Sequence, residues 1–193
     1  IVENDDRFYF IIFRAGGNNV AYAGWRKSGG VVKWSLVVRD GTSCVIAYSM
    51  TSPLLNRWYC VELHWKKDAS NGLGELWVDG TLVCAISGKN TAAYGNVNCI
   101  NLGLPQLYYC GSTVAYCDCV RMARTYIGLE AFEDGFESGS FSAWTGTSVS
   151  LGETATITSA RRYHGTYGAR FASNGGGGSE YACCCKTIAS SSE

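Results

Sequence analysis

The sequence holds only two prolines and two histidines in 193 residues. So little proline leaves long stretches of backbone free to stay regular, and so little histidine narrows the scope for acid–base chemistry near neutral pH. None of the patterns G-x-S-x-G, H-E-x-x-H or G-x-x-x-x-G-K-[ST] occurs. The nucleophile-elbow hydrolases, the zinc proteases and the phosphate-cradling nucleotide enzymes are thereby left without their working residues. C-x-x-C-H is missing too, so covalent haem is not expected. Apolar runs such as Phe8 to Phe13 are far too short to cross a bilayer as helices, and membrane insertion is not expected. Sixteen basic side chains balance sixteen acidic ones, with neither sign gathered into a block. Nucleic acid, other polyanions and anionic membranes are therefore not expected as partners. No N-x-[ST] acceptor is present either.

What is present reads as β-structure. Six Trp, twelve Tyr and seven Phe accompany many Val and Ile and 24 Gly, the composition of strands joined by tight turns. The length suits one sizeable core and hence one domain. Ten cysteines are many for a reduced cytosol, so a secreted, extracellular or cell-surface setting is expected. Intracellular proteins of hyperthermophiles are the known exception to that rule.

Period-two alternation dominates and no long 3.6-residue stripe occurs. Strands are expected over Arg7 to Arg14, Val20 to Arg26, Val31 to Arg39 and Ser43 to Met50, with Gly29-Gly30 and Asp40-Gly41 at the turns. Within Arg57 to Lys66 the faces separate: Tyr59, Val61, Leu63 and Trp65 belong to the core side, Trp58, Cys60, Glu62, His64 and Lys66 to the other. Glu75 to Val78 and Thr81 to Ile86 meet at the Asp79-Gly80 turn. Asn96 to Leu102 and Thr113 to Ala123 flank a loop with Pro105 and Cys110. Beyond the acidic, glycine-containing stretch Leu129 to Gly139 come Thr154 to Ser159, Tyr167 to Ala172, the Gly175 to Gly178 loop and Tyr181 to Ile188. The expected organisation is a major part at 1–128, a linker at 129–139 and a strand-bearing tail at 140–193. A tail that small cannot bury both faces of a sandwich alone, so it must complete something else.

Four segments fall in order along the major part: Arg57-Trp58-Tyr59-Cys60-Val61-Glu62-Leu63, Gly74-Glu75-Leu76-Trp77-Val78-Asp79-Gly80, Tyr116-Cys117-Asp118-Cys119-Val120 and Tyr126-Ile127-Gly128. They resemble the second half of concanavalin A-like, laminin-G-like jelly rolls. Gly135-Phe136-Glu137-Ser138-Gly139 with Trp144, followed by His164 to Phe171, is similar to the opening half of the same family. The halves stand in reversed order. The resemblance implies an all-β fold, an antiparallel β-sandwich of the jelly-roll type. The tail would complete either its own sandwich, as a circular permutant, or that of a neighbouring copy through tandem repetition or strand donation.

The resemblance also bears on site residues. In the resembled fold the first and last strands are neighbours, which makes Cys117 and Cys119 candidates for disulfides with Cys183 and Cys185. Four thiolates could instead hold zinc, although C-x-C on strands is not the usual zinc knuckle. Asp118 and Glu137 match positions of a structural calcium site in related jelly rolls, with Cys119 replacing a frequent second acid. The reading opposed to it is a pair of solvated edge carboxylates.

Strand parity alone groups Glu62, His64, Glu75 and Trp77 on the non-core side of adjacent strands, a platform on which a sugar could stack. The same tryptophan would equally serve as outer-layer packing. Glu62 with Glu75 could form a glycosidase pair, but the E-x-D-x-E strand of related glycosidases is missing. The expectation is accordingly a non-enzymatic extracellular module that assembles with copies of itself into a filament or array. A carbohydrate-binding module is the alternative.

Overall fold

A computed structural model describes residues 6–108, 110–123, 130–176 and 179–188 of the chain. Fifteen β-strands are present among them and no helix. Strands β1 (Arg7–Ala15), β2 (Asn18–Ser28), β3 (Val31–Asp40) and β4 (Ser43–Tyr48) form a meander, as the alternation predicts. A second meander follows, with β5 (Val61–Lys66), β6 (Gly72–Val78) and β7 (Thr81–Lys89). Next come β8 (Cys99–Tyr108), β9 (Val114–Cys117), β10 (Val120–Ala123) and β11 (Glu130–Asp134). The tail supplies β12 (Gly146–Val149), β13 (Thr154–Thr158), β14 (Gly168–Ala172) and β15 (Ser179–Thr187). Every pairing between them is antiparallel.

One seven-stranded sheet, in the order β12-β15-β8-β1-β2-β3-β4, runs through the whole chain. Smaller sheets face it in a sandwich-like arrangement. Against β3 and β4 lies the sheet β5-β6-β7, and the core between them contains Trp34, Leu36, Val38, Leu76, Val78 and Ile86. Tyr59, Val61, Leu63 and Trp65 pack on this core, the side that alternation assigns to them. Toward the other end, β13-β14-β9 and β10-β11 enclose a core of Leu102, Leu104, Leu107, Phe136, Trp144, Phe171 and Cys184. Phe136 stacks parallel to Trp144 at 5.8 Å, and the Trp144 indole N–H donates to Asp134 at 2.7 Å.

Three details differ from the sequence reading, each for a physical reason. Pro105 sits inside β8, where a loop is expected. The β8 pairings skip residues there on both flanks, Tyr9/Ile11 facing Gln106/Leu102 and Glu180/Ala182 facing Leu107/Leu104. A bulge needs no ladder bond from every residue and so tolerates a proline. The stretch read as one strand from Thr113 to Ala123 breaks at Cys119, whose φ of 52° lies in the left-handed region. Finally, the segment read as a linker carries β11 and the fully buried Phe136, so part of it is core. Tyr126, Ile127 and Gly128 lie outside the described residues.

The tail strands pair within the chain. β14 lies beside β9, with Ala169 opposite Cys117, while β15 lies between β8 and β12. The strand partner of the Tyr116 segment is therefore β14 rather than β15.

Candidate functional site

The expected platform is brought together. His64 Nε2 stands 3.4 Å from Glu62 and its Nδ1 3.4 Å from Glu75, whose carboxylate also accepts the Trp77 indole N–H at 3.2 Å. The rings of His64 and Trp77 are 6.1 Å apart. Cross-strand register produces this cluster, Glu62 facing Trp77 and His64 facing Glu75. The His64 ring and the Trp77 indole N–H face the two carboxylates, so the four residues form a half-buried ladder that braces β5 against β6.

Asp118 and Glu137 converge on one segment, the 163–167 loop that precedes β14. Asp118 accepts the backbone N–H groups of Tyr163 and His164 through one oxygen and that of Cys119 through the other. Glu137 accepts those of Thr166 and Tyr167. These amide bonds hold the Glu137 carboxyl below its ordinary value. Both carboxylates thus bind the loop itself.

Gly165 admits this clasp twice over. Its φ is +70°, and an added Cβ would stand 2.4 Å from Glu137 Oε1. Gly165→Ala is expected to raise amide exchange at Thr166 and Tyr167 at least about tenfold, by local opening, read by hydrogen-exchange NMR. A carboxyl whose folded pKa is lowered contributes stability above its ordinary value and loses it as pH falls through the folded one. Acid should therefore loosen this loop, and Glu137→Gln should remove that step.

The cysteines divide by parity, but with other partners than expected. Cys185 is joined to Cys99 across β15 and β8, their Cα atoms 6.6 Å apart. Cys117, Cys119 and Cys183 are free. The reason is topological: β9 lies in the opposite layer, so Cys117 meets the core, which it shares with Cys184, while Cys183 and Cys185 point to the outer side. Burial pushes the Cys117 thiol up to about 12 and that of Cys183 to about 11, which leaves both protonated and unreactive near neutral pH.

Sequence reading alone misses the most site-like feature. On the outer face of the seven-stranded sheet, away from both cores, lies a cavity of about 360 Å³ lined by Ile12, Arg14, Asn19, Asn101, Gln106, Tyr181 and Cys183, among others. Two of its polar atoms, Arg14 Nε and Gln106 Oε1, are buried and without a hydrogen-bond partner. Tyr181 beside them is 39% exposed. No described residue lining the cavity is an Asp, Glu or His.

The same face is basic. Register sets Arg7, Arg26 and Lys33 directly opposite one another, and Arg14 and Arg39 flank Asn19, Arg39 Nε donating to its carbonyl at 3.2 Å. The two acids in β1 to β4, β8 and β15 face the other way: Asp40 toward Lys89 and Asn90, Glu180 toward Ser173. Arg7 lies over the ring of Tyr108 and Arg26 over that of Tyr48, interleaving cations with aromatics.

No family model matches the chain, and neither a curated protein nor a solved structure matches it.

Proposed function

We propose that this chain is a glycan-binding module of the concanavalin-like, laminin-G-like jelly-roll kind, with its ligand held on the outer face of the seven-stranded sheet. The observation that carries the reading is the cavity in which an unpartnered guanidinium N–H and an unpartnered amide oxygen lie beside an exposed tyrosine. A buried polar group left unpaired is costly, and a ligand that supplies the missing partners removes that cost. Sugar hydroxyls both donate and accept, and a pyranose face stacks on an aromatic ring. Glycoside hydrolysis needs two carboxyl groups at the scissile bond. The cavity's described lining supplies none, which favours holding a glycan over cleaving it. The basic face further favours acidic sugars, since the planar guanidinium matches a carboxylate. The Cys99–Cys185 disulfide supports an oxidising compartment.

Assembly by strand donation would exchange between copies the β14–β9 and β15–β8 pairings that here lie within one chain. The binding reading rests instead on the two unpartnered polar atoms of the cavity.

Affinity electrophoresis through polygalacturonate, its carboxyl-reduced form and a neutral galactan tests the proposal. Retardation by polygalacturonate is expected, weakened about tenfold by Tyr181→Ala, whose ring is solvent-facing and whose loss spares the core. Trp77→Ala should leave it unchanged. Failure of every glycan to retard the chain, or dependence on Trp77 in place of Tyr181, would overturn it. Filaments seen by sedimentation of the concentrated protein would return the assembly reading to first place.

A further inference from the structure

A second polar cluster lies at the far end of the β8–β15 core, outside both the cavity and the Asp118–Glu137 clasp. Glu153, immediately before β13, is 6% exposed, and Glu180 of β15 is 8% exposed. Glu153 Oε2 accepts the Asn174 backbone N–H at 3.0 Å, while Oε1 is buried and has no partner. Glu180 Oε2 accepts the Ser173 hydroxyl at 2.6 Å. The other Glu180 oxygen and Asn174 Oδ1 border the same glycine: a Cβ on Gly176 would lie 3.2 Å from the first and 3.1 Å from the second. Gly152, with φ at +89°, admits the Asn174 amide from the opposite side, its own would-be Cβ 2.3 Å from Nδ2. Asn174 thus stands between the two buried carboxylates, its backbone N–H held by Glu153 and its side-chain oxygen, which accepts the Gly176 N–H at 2.8 Å, bordering the same glycine as Glu180 Oε1.

Charge makes this arrangement costly as it stands. Neither carboxylate makes an ion pair among the described residues. Burial of an unpaired carboxylate is strongly unfavourable, and two beside one another are worse. A divalent cation answers both deficits, since it neutralises two carboxylates and occupies the unpartnered oxygen. The ligands are all hard oxygens, as calcium prefers, and no thiol or imidazole joins them to favour zinc.

We infer that Glu153, Glu180 and Asn174 form a structural calcium site that fastens the 173–176 loop to β13 and β15. The Ser173 hydroxyl and nearby water would complete the shell, calcium taking six to eight oxygens.

Thermal melting of the whole chain in calcium chloride and in EDTA, with terbium luminescence sensitised by the protein's aromatic rings, tests this. Calcium at roughly a hundredfold excess over its Kd is expected to raise the midpoint by about 5–10 °C. Glu153→Gln and Glu180→Gln should abolish both the rise and the calcium-displaceable terbium signal, whereas Glu137→Gln keeps them. Asn174→Ala, at an exposed position that retains both carboxylates, should weaken terbium binding about tenfold and covers the case in which a Gln variant fails to fold. An unchanged wild-type midpoint would overturn the inference. A rise that survives in Glu153→Gln would do the same, as would loss of the rise in Glu137→Gln alone, which would place calcium at the 163–167 loop.

Discussion

Replacing Gly103 with alanine is expected to destabilise the fold by about 4 kcal/mol, a large part of the roughly 5–15 kcal/mol that holds a domain together. Two independent reasons converge on this residue. Its φ is +115°, a region costing an L-residue on the order of 1–3 kcal/mol. The added Cβ would also stand 2.6 Å from the ring of Phe171. That ring is fully buried and packs 5.9 Å from Phe141, so it has no free direction in which to retreat. Overpacking of this kind typically costs about 1–3 kcal/mol more. Phe171→Ala alone should cost about 3–5 kcal/mol through the cavity it leaves. The double variant should cost clearly less than the sum, because the cavity accepts the new methyl group. Urea unfolding with a constant m-value measures all three, and strict additivity would mean that the two residues do not meet.

The second large effect concerns the disulfide. Cys99→Ser, or reduction of the native protein, is expected to remove about 2–5 kcal/mol. Cys99 and Cys185 are 86 residues apart in sequence, so their bond closes a long loop of the unfolded chain and restricts it strongly. Thiol titration in denaturant should find eight free thiols before reduction and ten after, and Cys183→Ser should leave both the midpoint and the bridge intact. Ten thiols without reduction would remove the bridge from the account.

Much of the fold is legible in the sequence because it depends on neighbours along the chain. Alternation gives β1 to β7 almost whole, and it divides Tyr59, Val61, Leu63 and Trp65 from Glu62 and His64 correctly. What escapes is set by neighbours in space. Pro105 argues against a central strand until the bulge on both flanks of β8 is known. Strand β12 is only Gly146, Thr147, Ser148 and Val149, too short to show alternation, and its place beside β15 makes it a strand. The parity of Cys183, Cys184 and Cys185 is readable, yet which strand lies opposite is not, and the bond goes to Cys99. Likewise, Arg7, Arg14, Arg26, Lys33 and Arg39 never form a run, so charge looks evenly spread in one dimension. Register across β1, β2 and β3 gathers them onto one face. Glu153, Asn174 and Glu180 belong to no spacing motif and meet only through the loops around β14.

The position of β8 between β1 and β15 governs how this chain would carry a load. Arg7 and Ser179, the first residues of β1 and β15, both stand opposite Tyr108, and their far ends Arg14 and Thr187 both stand opposite Cys99. A pull entering at Arg7 and leaving at Thr187 is therefore directed along the strands, and would slide β1 and β15 past β8 instead of peeling them away. Hydrogen bonds perpendicular to the pull then resist together rather than one at a time. The Cys99–Cys185 bond ties β8 to β15 near the end where the pull leaves, so a chain linked to others through its ends would behave as a clamp.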